Sequence, residues 1–446
     1  MKNFAPIKLQ AVMEFKSQVY LDVSSLTDWS KSPVGISRIE FELARYCLAQ
    51  QQWVSFCRYE SALAAYVHVS TQRIEEDIRQ FGAGALPTSS TNASQPRARL
   101  SRLKQQLRPW LPPRLFAGLN RPRWMLRRQP KAPVQDSIKF RAGDRLIWMS
   151  ISADASKLKL LRSLAMQDRV QNFFYCHDII PIIFPQYVGI DYVIAFGQYL
   201  KVLAETATGL MFNSRASQED FQTHYPMARM PQTIINPAVG DLLPLPNGSV
   251  SSDVQAVLES PFILYVSTIE PRKNHDVLYR AYVKAHQQDI KLPKLVCLGR
   301  QGWLIDDQIH YMCHDPRVID SIVFLHEASD HELALLYRRC LFTVYPSFYE
   351  GWGMPVSEAL SLGKFCLISG CGGLADAGAI GCMHIDPHDA LSWLEWIKFY
   401  ATHEDALSEK EAFIRERYAS ENWHDFSKKI MRFAQENSYM ACTDVG

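Results

Sequence analysis

Hydrophobic residues along this chain alternate between two spacings, and the alternation predicts repeated strand and helix units. Short runs rich in β-branched and aromatic residues are each followed by a stretch in which apolar residues recur three or four positions apart. The first such run is 19–26, after which Ile36, Ile39 and Leu43 lie at helical spacing. This order is typical of parallel α/β sheets rather than of β-sandwiches.

The candidate strands fall into two groups, separated by a connector. They are 19–26, 54–57, 145–150, 173–180 and 209–214 in the first group, and 262–268, 294–300, 321–327, 341–347 and 365–370 in the second. The intervening run 237–260 is rich in Pro, Gly, Ser and Asp, which is the composition of a connector. The pattern therefore predicts two doubly wound domains, 1–240 and 259–418, with only helices after them.

Length and composition agree with two domains and a cleft between them. The 446 residues, 47% of them hydrophobic, are too many for one ordinary core. The longest apolar stretch, 179–196, is interrupted by two prolines and Asp191, so no segment offers the roughly 20 apolar residues of a spanning helix. The weakly apolar start has no clear cleavage site, and the ten cysteines form no CxxC pair. We therefore expect a cytosolic protein with buried thiols.

Positive charge is concentrated in one insert, 97–131, which holds eleven Lys or Arg and no Asp or Glu. The net charge of the whole chain is +2, so the rest of it is acidic. Leucines and Trp110 lie near helical spacing among these arginines, which is typical of segments on anionic membrane surfaces. The insert predicts peripheral membrane contact; the alternatives are a solvated loop or a protein-contact surface. A nucleic-acid binding protein is disfavoured, because no helix-turn-helix, zinc or RNA-binding signature is present.

Two carboxylates eight positions apart, Glu350 and Glu358, stand in the most informative stretch, YEGWGMPVSE, between a candidate strand and a helix. Gly351 and Gly353 allow a tight turn and a close approach of the backbone to a ligand. The free N–H groups at the start of the helix face the strand-end crevice, where α/β sheets bind phosphates and sugars. Two solvated glutamates beside a turn are the alternative on spacing alone.

This stretch resembles the E-x7-E signature of family 4 glycosyltransferases with the GT-B fold, and other segments resemble the same family in the same order. They are STIEPRKN (267–274), GRQGW (299–303), ASDHELALLY (328–337) and, more loosely, GISR (35–38), His177-Asp178 and Asn213-Ser214. The resemblance implies an α/β protein with two Rossmann-like domains facing a central cleft. It also implies that the C-terminal segment, 419–446, crosses back onto the first domain.

The resemblance also implies roles for individual residues. Glu358 resembles the carboxylate that accepts hydrogen bonds from the donor ribose, and Glu350 resembles the one that holds the donor sugar. Lys273 and Arg272 resemble cations that neutralise the diphosphate as the sugar bond breaks. His177 is expected in the catalytic site beside the donor sugar.

Further donor-binding residues are expected on the loops around these groups. They are Gly35, Ser267, Arg300, Gly351, Trp352, Gly353 and Met354. Ser267 stands where many family members have an arginine, so one phosphate contact is either missing or supplied by Arg300. Asp178 either orients the His177 ring or caps the following turn. Loop 369–376 departs from the family pattern and does not identify the donor.

The family implies a retaining transfer without metal or other cofactor, and no DxD motif follows a strand in this sequence. The donor is predicted to be GDP-mannose, because the signature segments look most like mannosyltransferases of bacterial O-antigen and capsule synthesis. UDP-sugars and dTDP-rhamnose are alternatives. The expected acceptor is a glycan or lipid-linked glycan. A non-catalytic homologue that binds nucleotide sugar, or a phosphorylase-like enzyme, is the alternative within the same fold.

Overall fold

The computed structural model describes residues 17–28, 35–50, 54–82, 137–227, 231–240 and 248–437. The basic insert 97–131 lies outside these residues. The described chain forms two α/β units, each built on its own sheet. This confirms the fold class expected from the hydrophobic pattern.

The first sheet has seven strands in the order β3-β2-β1-β4-β5-β6-β7. They are β1 (Val19–Asp22), β2 (Val54–Glu60), β3 (Ala65–His68), β4 (Arg145–Trp148), β5 (Gln171–Cys176), β6 (Ala207–Phe212) and β7 (Gln232–Ile235). Its helices are α1 (Ser24–Asp28), α2 (Ile36–Ala49), α3 (Thr71–Gly82), α4 (Ala155–Met166), α5 (Ile180–Ile183), α6 (Ile190–Thr206) and α7 (Arg215–His224). The strands are parallel apart from β3, which is antiparallel to β2. The strand order reverses between β1 and β4, where open α/β sheets form their ligand crevice.

The second sheet has six parallel strands in the order β10-β9-β8-β11-β12-β13. They are β8 (Phe262–Val266), β9 (Lys294–Leu298), β10 (Ile322–Leu325), β11 (Thr343–Tyr345), β12 (Cys366–Ile368) and β13 (Met383–His384). Its helices are α8 (Ser252–Leu258), α9 (His275–Gln287), α10 (Asp306–His314), α11 (Asp330–Arg339), α12 (Met354–Ser361), α13 (Gly373–Ala377), α14 (Ala390–Thr402) and α15 (Glu404–Arg417). One further helix, α16 (Trp423–Glu436), follows.

Every strand predicted from the sequence is present, but three short edge strands, β3, β7 and β13, were not predicted. Edge strands bury little surface, so their hydrophobic pattern is weak. The first strand also ends earlier than predicted. Asp22 accepts a hydrogen bond from the Ser24 backbone N–H at 2.9 Å, and this turn leads into α1.

The stretch predicted to be a connector contains helix α8. Its Val254 and Val257 are buried in the core of the second sheet. The second unit therefore begins before residue 259, the start expected from composition. The polar residues of this stretch obscure the helix, because only Val254 and Val257 are buried and Leu258 packs against the core while partly exposed.

Helix α16 belongs to the core of the first unit although it follows the second in sequence. It packs against α2 and β6. Phe426 and Ile430 are fully buried there, and the Asn236 side chain donates to the Phe426 carbonyl at 3.2 Å. The chain therefore returns to the first sheet after completing the second. In the part of the chain that the structure describes, no helix has both the length and the apolar character required to cross a bilayer.

Replacing Phe426 with alanine should lower the free energy of unfolding by about 3–5 kcal/mol, because a large ring leaves a closely packed core. Urea denaturation of the purified protein measures the change. Phe413→Ala is the matched control, since Phe413 lies on α15 and is 47% exposed. Equal losses in the two variants would contradict the assignment of α16 to the first core.

Candidate functional site

The ends of two neighbouring strands, β8 and β11, place the predicted cations beside the predicted carboxylate. After β8 the chain forms a 3-10 turn, Pro271–Lys273, that ends at Asn274 in the left-handed conformation (φ 56°). The Asn274 side chain donates to the carbonyls of Pro346, at 3.0 Å, and Pro387, at 2.7 Å. These bonds fix the turn after β8 against the loop after β11.

Glu350 lies between the two cations. Its Oε2 is 2.8 Å from Arg272 Nη1, and its Oε1 is 2.5 Å from Lys273 Nζ. Arg272 also donates to the Tyr349 carbonyl at 2.6 Å and to Glu270 Oε1 at 2.6 Å. The sequence-predicted cluster is therefore assembled, and Glu270 joins it.

The cluster is nearly inaccessible to water, which sets its electrostatics. Burial raises the pKa of Glu350, but Arg272 and Lys273 outweigh it and hold that pKa at about 2. Burial lowers the pKa of Lys273, and Glu350 opposes that change. Glu350 is consequently ionised at any physiological pH, and two partly buried cations meet two buried carboxylates.

Glu358 lies on α12 and is hydrogen-bonded to a tyrosine of α11. Its Oε2 accepts a hydrogen bond from the Tyr337 hydroxyl at 2.9 Å. Burial raises the pKa of Glu358, whereas Tyr337 and the nearby charge of Arg38 lower it. Arg38 follows Gly35 on the first unit, so the predicted glycine loop and the second carboxylate lie close enough to interact electrostatically.

The two units touch at Gly351. A Cβ at this glycine would lie 2.5 Å from the His177 carbonyl oxygen and 2.9 Å from Asp178 Cβ, so only glycine fits. The Ser217 hydroxyl lies 3.4 Å from the His177 carbonyl oxygen and 3.3 Å from the Gly351 carbonyl oxygen. The loop after β5 and the signature loop thus form one surface at the cleft.

The His177 ring is buried and bonded to the backbone of the first unit. Its Nε2 lies 2.6 Å from the Met149 carbonyl, and burial lowers its pKa to about 4. Because a carbonyl only accepts, the neutral ring carries its proton on Nε2. Asp178 accepts from the Ile180 backbone N–H at 3.0 Å, so of its two expected functions it performs the capping one.

The remaining residues of the signature loop also bridge the units. The Trp352 ring packs against cores of both units, and Met354 packs against the first. Trp352 Nε1 donates to the Ser357 hydroxyl at 2.9 Å. Gly353 has φ 104° and precedes α12, and a Cβ there would lie 2.6 Å from Leu374. The loop conformation therefore requires glycine at both signature positions.

Three predicted donor-binding residues are not part of the charged cluster. Ser267 pairs with His275, at 3.5 Å from its Nε2, and the Arg300 side chain is exposed and makes no ion pair among the described residues. Gly35, with φ 56°, has open space where a Cβ would be. Whether Arg300 supplies the phosphate contact that Ser267 cannot make stays a prediction.

Sequence reasoning missed the partners that support the site. Tyr337 lies in a segment already compared with the family, yet nothing in its spacing indicates a bond to Glu358. Tyr349 donates to Asp220 of the first unit. Such contacts join positions more than a hundred residues apart or on different helices, and no local pattern reports them. No cluster of three or more metal-ligating side chains was found among the described residues.

The second unit is similar to a known protein family. Residues 251–416 match the family described as Glycosyl transferases group 1. The serotype-specific mannosyltransferase WbdA of Escherichia coli is 30% identical over 198 residues, which is 42% of this chain. That stretch is 24% of WbdA, so the match spans about a quarter of this relative's length.

Solved structures show the fold of the whole described chain. HepE from Anabaena, in complex with UDP, covers 94% of this chain and 100% of its own, with a TM-score of 0.57 at 13% identity. WaaG, a glycosyltransferase involved in lipopolysaccharide biosynthesis, covers 94% and 100%, with a TM-score of 0.53 at 12% identity. At these identities the likeness shows the fold alone, which is the GT-B fold.

Replacing Glu350 with glutamine should lower the free energy of unfolding by about 3 kcal/mol near neutral pH, because Arg272 and Lys273 lose their buried partner. The folded-state pKa of Glu350 is depressed, so its stabilisation is complete above the ordinary carboxyl pKa and disappears as pH falls towards about 2. The difference between parent and variant should therefore be smaller at about pH 3.5 than at about pH 7.

Denaturant titrations at the two pH values measure this difference. Glu416→Gln is the control, because the Glu416 side chain is 71% exposed. A difference between parent and Glu350→Gln that does not change with pH would show that the ion pairs do not stabilise the fold.

Proposed function

We propose that this chain transfers a hexosyl unit from a nucleotide sugar to a glycan acceptor, a function supported by the match of residues 251–416 to the family described as Glycosyl transferases group 1. The observation that carries the proposal is the buried cluster of Glu350, Arg272 and Lys273. It lies within the family domain and at the contact between the two units. Two cations at this place suit a diphosphate, and a carboxylate suits the hydroxyls of a sugar.

The donor would lie along the signature loop. Glu358 would accept hydrogen bonds from the ribose, with its second oxygen already fixed by Tyr337. The N–H groups at the start of α12, which follows Gly353, would meet the diphosphate with the positive end of the helix. Lys273 and Arg272 would stabilise the negative charge that develops on the leaving phosphate.

We propose that transfer retains the anomeric configuration. The acceptor hydroxyl approaches the anomeric carbon from the face that the diphosphate leaves. The carbon–phosphate oxygen bond breaks, the new glycosidic bond forms, and the hydroxyl proton passes to a phosphate oxygen. His177 takes no proton in this scheme, because its ring is neutral and bonded to Met149. Its carbonyl and Asp178 shape the wall of the sugar site, and Lys273 and Arg272 supply the charge that a divalent cation would otherwise supply.

We expect GDP-mannose to be the donor, since the matched relatives include mannosyltransferases. Incubation with GDP-mannose, UDP-sugars and dTDP-rhamnose, together with a mannose-containing oligosaccharide, should release nucleoside diphosphate from GDP-mannose only. The proton coupling at the new anomeric centre reports its configuration. Release from another donor would contradict the choice of mannose. Release from none would favour a non-catalytic nucleotide-sugar-binding protein.

Glu358→Ala and Lys273→Ala should each weaken the binding of free GDP by about tenfold, because each removes a charge-assisted hydrogen bond to the nucleotide. Glu350→Ala should weaken GDP-mannose more than GDP, because its partner is the sugar. Calorimetric titration measures both ligands. Lys291→Ala, at an exposed position of the same domain, is the control. Equal losses of GDP affinity in all three site variants would contradict this division of roles.

The basic insert 97–131 supports a proposal about the acceptor, which we expect to be a lipid-linked glycan at a membrane surface. Replacing Arg121, Arg123, Arg127 and Arg128 with glutamine should release the protein from anionic vesicles, because each cation near the lipid contributes about 1 kcal/mol. GDP affinity should not change. Vesicle sedimentation at low and high salt measures the effect. Undiminished sedimentation of the quadruple variant would rule out membrane contact through this insert.

A further inference from the structure

The first unit contains a cavity that the proposed donor chemistry does not use. Its volume is about 270 Å³, near the lower end of small-molecule sites at about 300 Å³. The described residues that line it are Thr27, Arg58, His68, Val69, Ser70 and Arg73. They come from α1, β2, the end of β3 and the start of α3. Five of these described residues are polar or cationic, and none of them is a carboxylate.

Both arginines of the cavity are oriented by carboxylates that lie outside it. Arg58 Nη2 is 2.9 Å from Glu60 Oε2, and Arg73 Nε is 3.1 Å from Asp77 Oδ2. Each bond uses only one edge of a guanidinium. The Nη groups of Arg73, and Nε and Nη1 of Arg58, make no further hydrogen bond among the described residues. Two pre-oriented guanidinium groups are the side chains that bind phosphate best.

The start of α3 adds partial positive charge to the same place. Ser70 precedes the helix, and its hydroxyl accepts from the Arg73 backbone N–H at 3.2 Å. The N–H groups of Thr71 and Gln72 belong to the first turn, where a helix leaves its donors unbonded. A helix of 12 residues gives this end a favourable interaction with an anion. The arginines and the start of the helix therefore both favour a negatively charged ligand.

The position of the cavity relates it to the transfer site. Arg58 lies near the carboxyl end of β2, and His177 follows β5 at the same edge of the sheet. Three strand spacings separate β2 from β5 in the order β2-β1-β4-β5, which is about 14 Å. Thr27 lies on α1, the helix that follows β1. An acceptor that reached from β5 to β2 would have to be longer than one sugar ring.

We propose that this cavity binds a phosphate or diphosphate group of the acceptor, on the side of strand β2, which lies three strands away from β5 and its following His177. The inference rests on the proposed glycosyl transfer and specifies its acceptor as a phosphorylated glycan. Arg58 and Arg73 contact the phosphate oxygens, and Ser70 and the start of α3 complete the site. A neutral glycan lacks the group that these residues bind.

Calorimetric titration with inorganic pyrophosphate tests the site while saturating GDP occupies the donor site. The parent should bind pyrophosphate in the presence of GDP. The Arg58→Gln/Arg73→Gln variant should bind it at least about tenfold more weakly, because two charge-assisted contacts are lost. Its GDP affinity and its unfolding midpoint should equal those of the parent. Arg79→Gln, an exposed arginine at the other end of α3, is the control.

Two results would overturn the inference: pyrophosphate that binds only in the absence of GDP, or binding that the double variant leaves unchanged. Failure of the proposed function is distinguishable, because it appears as absent turnover in the donor panel rather than in this titration. A titration with farnesyl diphosphate distinguishes a lipid diphosphate from a soluble phosphorylated glycan as the ligand. Binding tighter than that of pyrophosphate, and lost in the double variant, assigns the site to a lipid diphosphate. Equal binding, also lost in that variant, assigns it to a soluble phosphorylated glycan.

Discussion

The ion pairs of Glu350 are the interaction on which the candidate site depends. Arg272 and Lys273 follow β8 and Glu350 follows β11, so the carboxylate joins two strand-end loops of the second sheet. Removing Glu350 would take the carboxylate partner from Lys273 and leave Arg272 paired with Glu270 alone, which costs several kcal/mol. The loop that carries Glu350 is therefore held in place, and Gly351, which follows it directly, is held against the first unit.

The contact at Gly351 joins this ordered loop of the second unit to the first unit. The absence of a side chain brings the signature loop against the His177 carbonyl, and Ser217 lies within hydrogen-bonding distance of both backbones. Trp352 then packs on the cores of both units. Because α16 returns to the first sheet, the chain crosses between the units twice. Glycosyl transfer as proposed needs groups from both units at one place, and these contacts supply that geometry.

The sequence predicted the central elements well because their residues are buried on both faces and read as apolar runs. The sequence did not predict the edge strands β3 and β7, which contain both apolar and polar residues. It also did not predict α8, because the stretch around this helix is rich in polar residues. The Glu350–Lys273 cluster could be expected because each residue stands in a motif with its own spacing. The Tyr337–Glu358 bond and the cavity of Arg58 and Arg73 could not. Their members become neighbours only through tertiary packing, and they share no motif.

The charge balance of the cluster bears on how a donor would bind there. Glu270 and Glu350 together neutralise Arg272 and Lys273, so a diphosphate that simply added to the cluster would meet no net positive charge. In the proposed complex Glu350 turns to the sugar hydroxyls, which frees its share of both cations for the phosphates. While Glu350 is paired with Arg272 and Lys273, these cations hold its pKa at about 2, so the carboxylate is ionised before a donor binds. The pairing that stabilises the cluster thus also keeps both cations in place for the nucleotide.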